Sequence, residues 1–152
     1  MVVGTLIGAV VVFLGLLLAG LRWQFGPVLD FIRRMNCSVT NPRVMRTAGT
    51  AATRTSVIAH VGRRSGRTYE TPIDVIETPT GLLVALPYGT RADWVRNVLD
   101  AGSATVVTQG ERLGVNTPVI VAISDMAGSI PRGTMRMLRL FGVSQCLHLE
   151  KS

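Results

Sequence analysis

Apolar residues run through the start of the chain without a charged interruption, from Val2 to Leu21, and the first basic residue is Arg22. About 20 residues at 1.5 Å each match the roughly 30 Å hydrocarbon core of a bilayer, so residues 1–21 are expected to form a transmembrane anchor. A cleaved signal is the weaker reading, because no basic residue precedes the apolar run. Gly4 and Gly8 make one GxxxG step, which suits helix pairing and lipid-facing filler equally. Trp23 and Phe25 read as interfacial anchors. Residues 22–55 follow as a basic juxtamembrane region. Pro27 opens a helix in which Val28, Leu29, Phe31, Ile32 and Met35 recur at near-helical spacing, and Asn41 and Pro42 restart a short helical turn. The small and hydroxyl residues of 49–55 read as a linker.

From Ser56 the pattern shortens to strand-like runs. Residues 56–62, 68–78 and 82–88 make three strands joined by turns. Residues 92–101 make a helix with Trp94, Val95, Val98 and Leu99 on one face, ended by Gly102. Residues 104–109 and 112–116 flank a tight turn, and 118–123 give a sixth strand. Residues 132–141 form a helix setting Met135, Leu138 and Leu140 against Arg132, Arg136 and Arg139, and 144–150 alternate like a closing strand. The fold class expected for residues 56–152 is therefore mainly β with short α: an antiparallel barrel of six to seven strands.

Composition changes this picture little, since 47% hydrophobic and 16% charged residues over 152 positions exclude a disordered or low-complexity chain. Cys37 and Cys146 are too few for a disulfide framework and read as reduced and structural. Charge adds more. The net +7 is uneven: Arg22 to Arg67 carries nine arginines and one acid, Asp30. Only Lys151 of the 16 basic residues is lysine, a choice that favours forked contacts with phosphate or carboxylate. The arginines that follow the apolar run, Arg22, Arg33, Arg34, Arg43 and Arg46, place the barrel on the cytoplasmic side of the cell membrane and make anionic lipid an expected partner. Nucleic acid is not expected, given the anchor and the scarcity of aromatics in the basic half.

Two motifs carry candidate chemistry. Gly62, Arg63, Arg64, Ser65, Gly66 and Arg67 crowd backbone amides, a hydroxyl and three guanidinium groups into one turn between strands, a composition suited to phosphate or to a solvated rim. Pro87, Tyr88, Gly89 and Thr90 join a strand end to a helix that carries Asp93, Trp94 and Asn97, where amides and the helix dipole favour an anion. Trp94 reads as a packing residue, and Asn97 as an amide that needs partners if buried. His60 and His148 have no metal-ligand spacing, so no metal is expected. There is no GxSxG, and His60 reads as a satisfied core histidine.

The blocks HVGRRSGRTYETP, residues 60–72, and ALPYGTRADWVRNVLDAGSATV, residues 85–106, match in order and spacing the deazaflavin-dependent nitroreductase family of actinobacteria, which the chain resembles over about residues 41–149. The resemblance implies a split β-barrel of the flavin-binding kind. It implies binding of the deazaflavin coenzyme F420, ahead of FMN, and hydride transfer from the reduced coenzyme. By position, Arg63, Arg64, Ser65 and Gly66, with Arg67 nearby, would hold the coenzyme's phosphate and acidic tail. Thr71 and Pro72 would lie under its ring, and Pro87, Tyr88, Gly89 and Thr90 along its other edge. Trp94 and Asn97 match the family's helix residues, and Tyr88 is the expected proton donor or ring-orienting hydroxyl. Two departures stand out: Tyr69 occupies a place where many members have arginine, and the tyrosine-bearing C-terminal tail of the nitroimidazole-reducing members is not evident. The function implied is a membrane-anchored oxidoreductase acting on a quinone-like or nitro-aromatic acceptor. The alternative is a non-catalytic carrier of coenzyme or fatty acid at the membrane. A homodimer is the expected assembly.

Overall fold

A computed structural model of the chain describes residues 2–23, 25–35 and 41–152, without the side chains of residues 2–7, 9 and 21. Cys37 lies outside the described residues. Three helices precede the barrel: α1 (Val2–Arg22), α2 (Gly26–Met35) and α3 (Asn41–Val44). The chain turns back after α1, where the Phe25 amide donates to the Gly20 carbonyl at 2.8 Å. Gly20 permits this, because a Cβ there would meet Val28 Cγ1 at 2.7 Å.

The expected membrane span is corrected by the structure: among the described residues, no helix is long and apolar enough to cross a membrane. The linker expected at 49–55 is also tied down. Gly49 is buried, its amide donates to the Thr55 carbonyl at 2.7 Å, and its own carbonyl accepts from Gly110 at 2.6 Å.

Six antiparallel strands close into a barrel. They are β1 (Thr55–Val61), β2 (Thr68–Thr78), β3 (Gly81–Ala85), β4 (Ser103–Thr108), β5 (Glu111–Ala122) and β6 (Gln145–Lys151), in the spatial order β1-β2-β3-β6-β5-β4 with β4 returning to β1. Helix α4 (Asp93–Ala101) links β3 to β4, and α5 (Arg132–Leu140) lies between β5 and β6. Gln109 and Gly110 both take positive φ, 50° and 86°, the backbone that a two-residue hairpin between twisted strands requires.

Two expectations about strands fail for local reasons. Residues 112–116 and 118–123 belong to one strand, β5, broken only by a register shift between Asn116 and Val119, with Thr117 at φ 49° and Pro118 unable to donate to the ladder. The count is therefore six. Strand β3 stops at Ala85, because the Gly89 amide bonds to the Leu86 carbonyl at 3.0 Å and turns the chain across Pro87 and Tyr88.

Burial follows the pleat. Ile58, Ile73, Leu82, Val84, Val106, Val115, Leu147 and Leu149 fill one core together with Val95 and Val98 of α4. A second core, with Leu83, Ile123, Ile130, Met135, Leu138, Val143 and Cys146, packs α5 and its flanking loops against the barrel. Strand β3 feeds both: Leu82 and Val84 enter the first and Leu83 the second, so its residues 81–84 are all buried. Cys146 is a free, buried cysteine, and burial pushes its thiol pKa up.

Candidate functional site

The two motifs, separated by about thirty residues of sequence, meet in the fold. The turn between β1 and β2 is closed by backbone bonds: the Gly62 amide donates to the Arg67 carbonyl and the Gly66 amide to the Gly62 carbonyl, each at 2.8 Å. Gly66 takes φ +65°, which a side chain would strain. Gly62 is required for space, since a Cβ there would come within 2.6 Å of both Ser65 Oγ and the Tyr69 ring. The Ser65 and Tyr69 hydroxyls share a hydrogen bond at 3.1 Å, and the Tyr69 ring stacks on His60 with centroids 6.0 Å apart.

Arg63 fastens this turn to α4. Its Nη2 pairs with Asp93 Oδ1 at 3.0 Å, and its Nη1 and backbone amide donate to Asn97 Oδ1 at 2.8 and 3.2 Å. The Arg63 side chain is only 17% exposed. The hydrogen bond from Arg63 holds the Asp93 carboxyl below the usual range against an opposing effect of burial, and the charges of Arg63, Arg33 and Arg96 add to it. Beyond Asn97 the chain of contacts turns inward. The Asn97 side-chain nitrogen lies 3.3 Å from His60 Nδ1, and His60 Nε2 lies 3.2 Å from Thr71 Oγ1. His60 is buried, at 4% exposure, and burial depresses its pKa.

The hydrogen-bond directions in this chain are fixed by chemistry. Asn97 Oδ1 accepts twice from Arg63, so its NH2 group is the side that faces His60. His60 Nδ1 must then accept, leaving the proton on Nε2 to be donated to Thr71. A neutral imidazole in this tautomer satisfies every member, and no buried side-chain polar atom among the described residues lacks a partner.

The residues singled out from sequence therefore divide. Arg63 and Asn97 are committed to the frame that joins the turn to α4. Arg64, Ser65, Gly66 and Arg67 are exposed at the tip, and among the described residues neither the Arg64 nor the Arg67 guanidinium has an ion-pair partner. Thr71 is half-buried as the acceptor for His60, and Pro72 is half-buried opposite Val57. Pro87, Tyr88, Gly89 and Thr90, all half-buried, form the turn from β3 toward α4, with Gly89 at φ +70° and open space where its Cβ would stand. The N-cap of helix α4 is Ala92, whose side chain cannot cap it. Trp94 packs against the first core.

Sequence reading left two participants without their role: Tyr69, noted only as a departure, supports the turn, and Asp93, noted only as part of the helix start, anchors Arg63. Only the need of a buried Asn97 for partners signalled this network in advance. Among the described residues there is no group of three or more His, Cys, Asp or Glu side chains that could hold a metal ion.

No known protein-family pattern matches the chain, and no curated protein matches it. Solved structures similar to it include an F420 reductase, at 9% identity over 64% of this chain and 86% of the other, with a TM-score of 0.45. A protein described as a domain-swapped dimer is 14% identical over 80% of this chain and 98% of the other, TM-score 0.48. An FMN-binding protein from Syntrophomonas wolfei subsp. wolfei is 13% identical over 82% and 92%, TM-score 0.41. At these identities and scores they add nothing to the fold, which rests on its own strand pairings, and nothing to the site.

Proposed function

We propose that the protein is an oxidoreductase that binds a phosphate-bearing deazaflavin or flavin coenzyme, F420 ahead of FMN, at the joined turns, and passes a hydride to a quinone-like or nitro-aromatic acceptor. The observation that carries this reading is the Arg63 clamp. By pairing with Asp93 and Asn97 it holds the β1–β2 turn against the start of α4 and leaves the neighbouring Arg64 and Arg67 uncommitted beside Ser65.

The residues present fit such a group. Two unpaired guanidinium groups and a hydroxyl suit an anionic phosphate, and Gly66 and Gly89 leave room for close backbone approach. The uncapped first turn of α4 offers further amides. When bound, the coenzyme supplies the hydride. Within this reading Arg64, Arg67 and Ser65 bind the acidic part, and Thr71 and Pro72 support the ring from β2. The turn from Pro87 to Thr90 lines the ring's edge, with Tyr88 as the hydroxyl nearest the chemistry. Arg63, Asn97 and His60 position the turn rather than touch the ligand.

The exposed apolar residues of α1, Val10–Leu14 with Leu16 and Leu18, support a location against lipid, which would give the site access to a lipid-soluble acceptor. The cytoplasmic face and a homodimer belong to the same proposal.

Titration of the purified full chain with oxidised F420, and separately with FMN, tests the assignment. Arg64→Ala should weaken binding tenfold or more, the equivalent of losing one charge-assisted contact of roughly 1.5 to 3 kcal/mol, with thermal stability unchanged. Arg63→Ala should lower affinity and melting temperature together. Addition of a quinone or nitro compound to the reduced complex should restore the absorbance of the oxidised coenzyme. Unchanged affinity in Arg64→Ala removes the phosphate assignment; tight binding without turnover makes the protein a carrier.

A further inference from the structure

Helix α5 turns two faces in opposite directions. Met135 and Leu138 are buried in the second core, whereas Met137 and Leu140, one turn apart, are exposed, Leu140 at 68%. Arg132, Arg136 and Arg139 are exposed on the same helix, which contains no acid. Gly133, Arg136, Met137, Arg139 and Leu140 share this open face of the helix. The end of α5 abuts the end of α1, since the Arg22 carbonyl oxygen lies 2.5 Å from where a Cβ on Gly142 would stand. Trp23, 78% exposed, and the exposed Phe25 therefore lie at the corner where α5 ends.

Three occupants suit an apolar helix face: a peptide, a second copy, or a lipid surface. Charge disfavours a second copy, and exposed apolar residues spread over α5, the Trp23–Phe25 corner and α1 suit an extended surface better than a single peptide. A second copy packed isologously would bring Arg132, Arg136 and Arg139 toward their own equivalents, like charges that oppose association. An anionic bilayer meets both components: guanidinium groups at the phosphates, and Met137, Leu140, Trp23 and Phe25 at the headgroup–acyl boundary. The exposed apolar residues of α1 continue toward that same corner.

We propose that α5 and the Trp23–Phe25 corner form one contact surface for an anionic lipid bilayer. It rests on the lipid-facing part of the proposed function and is independent of the coenzyme assignment.

Co-flotation of the full chain with vesicles of phosphatidylcholine alone, and of phosphatidylcholine with about a third phosphatidylglycerol, tests the surface. The wild-type chain should prefer the anionic vesicles, and the preference should shrink as salt is raised. Each arginine near an anionic leaflet is worth about fivefold in partitioning, so Arg136→Ala with Arg139→Ala should cost about 25-fold on anionic vesicles and little on neutral ones. Met137→Ser with Leu140→Ser should weaken binding to both. Coenzyme affinity should stay unchanged in every variant. To read α5 directly even if α1 holds all variants on the vesicles, Leu140→Trp should lose fluorescence, beyond the loss in the wild-type chain, when the lipids carry brominated acyl chains. Equal partitioning to both vesicle types with no such quenching overturns the proposal while leaving the α1 contact standing, and absence from both vesicle types removes the two together. A dimer seen by light scattering without lipid, and abolished by the Met137 and Leu140 substitutions, would assign the face to a second copy instead.

Discussion

His60 occupies the buried end of a chain of contacts that tolerates only one protonation state. With Asn97 donating to Nδ1, a proton added there would set two donors face to face, and burial already disfavours the charged ring. The consequence for stability has a definite sign. The folded-state pKa lies below the ordinary value of about 6.5, so at pH values between the two the unfolded chain binds more protons and stability rises with pH. The His60 contribution is complete above about pH 6.5 and is lost as the pH falls from there toward the depressed folded value. Urea denaturation midpoints measured from pH 8 to pH 5 should be flat at the upper end and decline below about 6.5, and His60→Gln should remove that part of the decline. A midpoint that declines identically in both proteins would show that the ring carries no such linkage. Asp93 is shifted in the same direction for a different reason, the hydrogen bond from Arg63: its depressed pKa adds stability above the ordinary carboxylate range that is lost in stronger acid.

Among the elements, the β1–β2 hairpin depends on a close approach between its own residues. Gly62 lies under the Tyr69 ring and against Ser65, and the stacking of Tyr69 on His60 prevents the ring from swinging away freely. Gly62→Ala should therefore destabilise the protein by about 1 to 3 kcal/mol through overpacking, read from thermal or urea unfolding. Combined with Tyr69→Ala, which empties the space, it should cost clearly less than the sum of the two single changes. Additive costs would mean that the ring does not press on Gly62. Here the sequence was legible in part: alternation located both strands and their turn, and the arginine-rich composition marked the turn as a site. That Arg63 is spent on α4 while Arg64 and Arg67 remain free was not legible, because adjacent arginines look alike until the partner helix is in place. Strand β5 was similarly split in reading, since Thr117 and Pro118 carry the local signature of a turn, and only pairing with β6 on both sides of the irregularity makes it one strand.

For the molecule as a whole, the two cores divide the work. The first fills the barrel and supports α4, and so the candidate site; the second holds α5 against the barrel. Leu138→Ala, in the second core, should cost roughly 2 to 5 kcal/mol of stability yet leave coenzyme affinity within about twofold of the wild-type value. Val98→Ala, on the buried face of α4, should lower both stability and affinity. Loss of binding in Leu138→Ala at a temperature where it remains folded would show that the cores are coupled. Such a division was not visible in the pattern, because Leu82, Leu83 and Val84 read as one apolar run: the pleat sends them to alternate faces, but only the fold puts a core on each side.

What the sequence determined by itself is local: the period of each strand, the glycines and prolines that end them, the apolar first helix, and the concentration of arginine ahead of residue 68. These follow from backbone preference and side-chain patterning over a few neighbouring residues. The tertiary structure decided what depends on distance in sequence. It decided that β6 inserts between β3 and β5 to close the barrel, that the segment at 49–55 is tied to Gly110, and that one arginine of three pairs with Asp93 and Asn97 while the others stay free. Hydrogen bonds and ion pairs of that kind are chosen by which groups arrive within about 3 Å of each other, and only the folded chain fixes that.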